Sequence, residues 1–153
     1  MLDNDTVDLS SQLQLESNRV MGVHVQWDDD AKTTILMKIV GRWEWQDIQD
    51  AVLICNEMIE SVPYHVHFIL DRQGGLWTPG NLIPNLRKII NTFSPNDGYR
   101  VIVGENPLVR EMFHAFEMLN GGAGFRYRYV SSMAEARDFL SRQPLRLKPP
   151  KSL

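Results

Sequence analysis

The chain predicts a single α/β domain on a mixed, mostly parallel sheet, and three observations carry that reading. Apolar runs of period two alternate with longer runs at helical spacing. "HVHFILD" and "YRVIVG" contain short, nearly continuous apolar runs, as in strands covered on both faces. The opening runs "VHVQW" and "TILMKIVG" are joined by the polar "DDDAKT", which favours an antiparallel hairpin. The element order is β-β-α-β-α-β-α-β-α, with right-handed crossovers and the hairpin as a mixed edge.

Each element has its own signal. Val23, Val25 and Trp27 alternate with His24 and Gln26, the pattern of a half-buried strand. From Gln46 the period changes: Ile48, Ala51, Val52, Cys55, Ile59 and Val62 form one helical face, and Pro63 ends the helix. After the next strand and a glycine-rich turn, Leu82, Leu86, Ile89, Ile90 and Phe93 mark a second helix. Asn106, Pro107 and the glycines at 121 and 122 bound a third helix, with Leu108, Met112, Phe113, Phe116 and Leu119 as its core stripe. "FRYRYV" sets aromatic residues against Arg126 and Arg128, giving a strand with one wet face near a sheet edge. Ser132 and Glu135 form a capping-box pattern ahead of the last helix.

Composition narrows the function classes. At 153 residues, 43% hydrophobic and 23% charged, the chain matches one globular domain. A net charge of −3 provides no concentrated basic face, so nucleic acid is not an expected partner. Cys55 is the single cysteine, which excludes an intrachain disulfide and fits a reducing compartment. Neither a signal peptide nor a membrane-spanning run is evident, so a cytoplasmic location without membrane association is expected. Residues 1–20 read as a flexible acidic segment, 21–142 as the domain, and 143–153 as a basic, proline-rich tail.

Catalytic and cofactor signals are sparse. Gly74, Gly75 and Gly80 match neither a P-loop nor a dinucleotide fingerprint, and no cofactor is expected. His65 and His67 share a strand face but lack a third ligand at a telling spacing, so no metal site is assigned. Cys55 lies mid-helix on an apolar face, as a small buried hydrophobe would. Asp71 ends a central strand, where α/β proteins place their sites, and its plainer role is to accept backbone N–H groups in the following turn. Trp43 and Trp45 flank the first helix start, and Trp77 lies in the loop after Asp71. A loop tryptophan suits either a partner surface or a cap on the core.

The order of elements, with "FILD" ending a strand, then a loop, a helix, "VIVG" and a further β-α unit, resembles the STAS domain family. Its best-known members are anti-sigma-factor antagonists. The resemblance spans roughly residues 21 to 142 and rests on topology and hydrophobic pattern. Family members end a buried strand in Asp, matched by Asp71, and present an Asp-Ser-Ser-Gly-like turn in which a kinase phosphorylates a serine. Here that turn reads "LWTPGNL": Thr78 is its only hydroxyl, Gly80 stands for the glycine, and the Asp-Ser pair is missing.

The resemblance implies a non-enzymatic regulatory module in bacterial signalling that docks a regulatory or kinase-like protein through residues 72–86. Asp71, Arg72, Trp77, Thr78, Gly80 and Asn81 form its expected surface, Thr78 is the candidate phosphorylation site, and no catalytic residue is assigned. The alternative is a small-ligand-binding protein or an unrecognised enzyme using the strand ends near Asp71. A deep pocket with convergent Asp71, Arg72 and a histidine would favour that alternative. An exposed Trp77 loop would favour docking, and a self-complementary apolar patch would indicate a homodimer.

Overall fold

The computed structural model describes residues 22–74, 77–104, 110, 114 and 127–150. Strand β1 (Gly22–Trp27) turns back on β2 (Thr34–Val40), antiparallel, with Gly22 opposite Val40 and Trp27 opposite Ile35. The turn is organised by Asp29, whose carboxylate accepts the backbone N–H groups of Thr33 at 2.9 Å and Thr34 at 3.1 Å. Helix α1 (Trp45–Glu60) leads to β3 (His67–Gly74), α2 (Leu82–Thr92) to β4 (Arg100–Val103), and β5 (Tyr127–Val130) to α3 (Met133–Ser141). The five strands lie in sequential order, and every pair after the first is parallel. The expected mixed α/β sheet is therefore present. The helix expected after Asn106 and the acidic segment 1–20 lie outside the described residues, apart from Arg110 and His114.

Period two divides the strands between two cores. Ile35, Met37 and Ile39 of β2 pack with Ile48, Val52 and Cys55 of α1 on one face, where Phe68 and Leu70 of β3 also lie. On the opposite face Leu36, Ile69, Val101 and Val103 meet Ala136 and Leu140 of α3. Both faces are covered, which explains the continuous apolar runs of β3 and β4. At the α1 start, the Glu44 backbone N–H donates to Asp47 at 2.8 Å. At the α3 start, the Ser132 hydroxyl accepts the Glu135 N–H at 3.2 Å, while Glu135 reaches the Ser131 hydroxyl at 3.0 Å.

Two findings depart from expectation. Strand β3 runs three residues past Asp71 to Gly74, because Gly74 pairs with Val40 across an irregularity in β2. There the backbone approaches closely: a Cβ on Gly74 would lie 2.8 Å from the Ile39 carbonyl oxygen. The basic stretch expected to be a mobile tail is tied down as far as Lys148. The His65 N–H donates to the Arg146 carbonyl at 2.8 Å, and the Lys148 N–H to that of Pro63 at 2.9 Å. The Lys148 ammonium reaches the carbonyls of Ile59 and Val62, orphan acceptors near the end of α1.

Candidate functional site

Asp71 and Arg72 are adjacent in β3, so the pleat sends them to opposite faces. Asp71 is buried on the α3 side, and its carboxylate accepts the Gln73 N–H at 2.9 Å. Arg72 points to the α1 and α2 side, only 7% exposed. Among the described residues no histidine joins these two: His67 opens β3 at its other end with His65 just ahead of it, His24 lies on β1, and His114 meets the Tyr127 hydroxyl at 3.0 Å.

The Arg72 guanidinium lies under the turn that follows β3. One amino group donates to the Trp77 carbonyl at 3.2 Å and to the Thr78 hydroxyl at 3.3 Å, and the group stands 5.8 Å from the Trp43 ring centroid. Its Nε–H is buried without a hydrogen-bond partner, and no carboxylate of the described residues forms an ion pair with it. Burial lowers its pKa, with the Tyr129 phenol opposing the shift.

The turn itself is fastened from the other side by two indoles. Trp43 donates its Nε1–H to the Trp77 carbonyl at 2.9 Å, and Trp45 donates to the Gly80 carbonyl at 2.7 Å. The two rings meet edge to face, centroids 4.9 Å apart. Trp77 is 41% exposed, and the Arg42 guanidinium stacks 4.3 Å from its centroid. Thr78 is half-buried, Pro79 buried, and Gly80 exposed. Asn81 takes a left-handed backbone (φ 59°, ψ 44°) at the head of α2, and its carbonyl accepts the Asn85 side-chain amide at 2.8 Å.

Sequence reasoning named Trp43, Trp45 and Trp77 separately and missed that the first two hold the turn carrying the third, Trp43 at Trp77 and Trp45 at Gly80. The available signal was the Trp-x-Trp spacing directly before a helix. It also missed Arg42, a surface cation whose partner lies 35 positions away.

Beneath α2 lies a cavity of about 100 Å³ lined chiefly by apolar side chains, among them Met37, Leu70, Leu86, Ile90 and Phe93, with Arg72 at its edge. Ile89 is the only fully buried residue of α2, so this helix stands off the sheet more than α1 does.

His65 and His67 were expected on one strand face, but β3 begins at His67 and His65 precedes it; both are engaged with the segment that precedes β4. Each accepts a backbone N–H at Nδ1, from Asp97 at 2.9 Å and from Tyr99 at 3.1 Å. Between them the Asn96 side chain pairs with Val66 in both directions, at 2.8 and 2.9 Å. Burial lowers both imidazole pKa values. Among the described residues no group of three or more potential ligands could hold a metal. No described helix is long and apolar enough to cross a membrane.

No protein-family model, curated protein or solved structure matches the chain.

Proposed function

We propose that this chain is a non-enzymatic, STAS-like interaction module that docks a regulatory protein through the turn and first helical residues at 77–86. The observation that carries the reading is the presentation of Trp77. Its indole is 41% exposed, while its carbonyl is held by Trp43 and by Arg72. An aromatic anchor fixed before binding loses little freedom on association, which is how a few residues come to dominate an interface. Ile83, in the first turn of α2 and 39% exposed, is the second apolar residue of this segment.

Thr78 is the modification site in this reading. Its hydroxyl already faces the Arg72 guanidinium at 3.3 Å, so a phosphate there would find a cation and would reorganise the turn. Intact-mass measurement of protein from its native cell tests this; a chain that never carries phosphate removes the switch.

Co-purification of the full chain from native cells, beside Trp77→Ala and Ile83→Asp, tests the docking surface. A stoichiometric protein partner lost in both variants is expected. A partner retained equally by both variants would place docking elsewhere and overturn the reading.

A further inference from the structure

We propose that the cavity beneath α2 binds a small amphipathic monocarboxylate, with the apolar body among Leu70, Leu86, Ile90 and Phe93 and the carboxylate on Arg72.

The cavity and the arginine point to the same ligand from different directions. A charged group 7% exposed, with an orphan buried Nε–H and no carboxylate partner among the described residues, is poorly compensated by neutral acceptors alone. Asp71, adjacent in sequence, cannot serve because the strand directs it to the other face. Arg72 lines the apolar cavity, and while one amino group fastens the turn at Trp77 and Thr78 its Nε–H is left without a partner.

The headgroup follows from the donor set. The orphan Nε–H is a charge-assisted donor that a carboxylate oxygen satisfies, and the amino group beside it, now on Trp77 and Thr78, turns one N–H from the Thr78 hydroxyl to the second oxygen. Arg100 also lines the cavity, but from the position opposite Phe68 on β3. Arg72 lies four residue steps along the strand from Phe68, about 13 Å, so the two guanidinium groups do not start from one locus as a phosphate cradle would. The size follows from the volume. Cavities of about 150 Å³ accommodate a benzene molecule, so about 100 Å³ open at one side suits a short alkyl chain or small ring. The half-buried inner face of α2 provides room for the helix to adjust.

Titration of the full chain with pentanoate and with pentanol, followed by NMR, tests the assignment without any protein partner. Pentanoate is expected to bind about tenfold or more tightly than pentanol. It should shift the Arg72 Nε–H resonance and the signals of residues 86–93. Arg72→Met should bind both compounds equally, and Arg72→Lys should keep part of the preference. Leu86→Trp, which fills the cavity, should abolish binding of both, each variant being first shown folded by its amide spectrum. Equal affinity for pentanol in the unaltered chain, shifts confined to another surface, or no saturable binding of pentanoate would each overturn the proposal.

Discussion

The indole of Trp43 donates to the backbone carbonyl of Trp77 at 2.9 Å, joining the residues just before α1 to the turn after β3. Trp43 is almost wholly buried, so the bond is shielded from water, and its loss would remove both a hydrogen bond and part of the packing. Trp43→Phe is expected to destabilise the domain by about 1–3 kcal/mol, read from urea unfolding. Trp45→Phe, whose bond to Gly80 is exposed, should cost less than about 1 kcal/mol. Equal effects of the two would contradict the shielding argument.

Gly98 faces the backbone of Val66 so closely that an added Cβ would lie 1.8 Å from its carbonyl oxygen. No side-chain rotation relieves a clash with backbone, so Gly98→Ala should cost about 3 kcal/mol or more, or prevent folding at 37 °C. Gly80→Ala meets nothing within 4 Å and should change the melting temperature little. Thermal unfolding of the pair provides the comparison, and a tolerated Gly98→Ala would show that the 96–99 segment can move away.

The imidazoles of His65 and His67 act as acceptors at Nδ1, a role that only the neutral ring can fill. Burial lowers both pKa values below 6.5. The unfolded chain therefore binds protons more readily than the folded one. Stability from this source is full above about pH 6.5 and declines as pH falls through the folded values. Denaturant midpoints measured from about pH 7 to about pH 5 should drop, and the slope should flatten in the double variant His65→Asn, His67→Asn. An unchanged slope in that variant would assign the acid sensitivity to other groups.

Cys55 is fully buried on the apolar face of α1, and burial pushes its thiol pKa up to about 12. A disulfide reagent at about pH 8 should therefore label it only through unfolding. The observed rate should become independent of reagent concentration and rise with denaturant. Labelling at the speed of a free thiol would show that α1 opens on its own.

Where hydrophobic period alone decides structure, the sequence was legible. Of the six residues read as one helical face, Ile48, Ala51, Val52, Cys55 and Ile59 are buried in α1, and Val62 lies past its end, half-buried. The hairpin was legible from its short polar connection, and the parallel pairing of β3, β4 and β5 from the alternation of strands with helical segments. What depends on a distant partner was not. The extension of β3 to Gly74 is set by Val40, and the seating of Lys148 by carbonyls of Ile59 and Val62. Neither leaves a local pattern. The site was half legible: Arg72, Trp77 and Thr78 do meet, but Asp71 was grouped with them although the pleat separates it.

Three of the four tryptophans stand at one corner, with guanidinium groups of Arg42 and Arg72 close to two of the rings. The fourth, Trp27, pairs with Ile35 at the opposite end of the hairpin from Val40, the residue that contacts Gly74. The ultraviolet emission of the unlabelled protein is thus dominated by the turn and cavity mouth. Any event that displaces Arg72 or lifts the turn is written into the colour and intensity of that light, and the domain carries its own optical gauge.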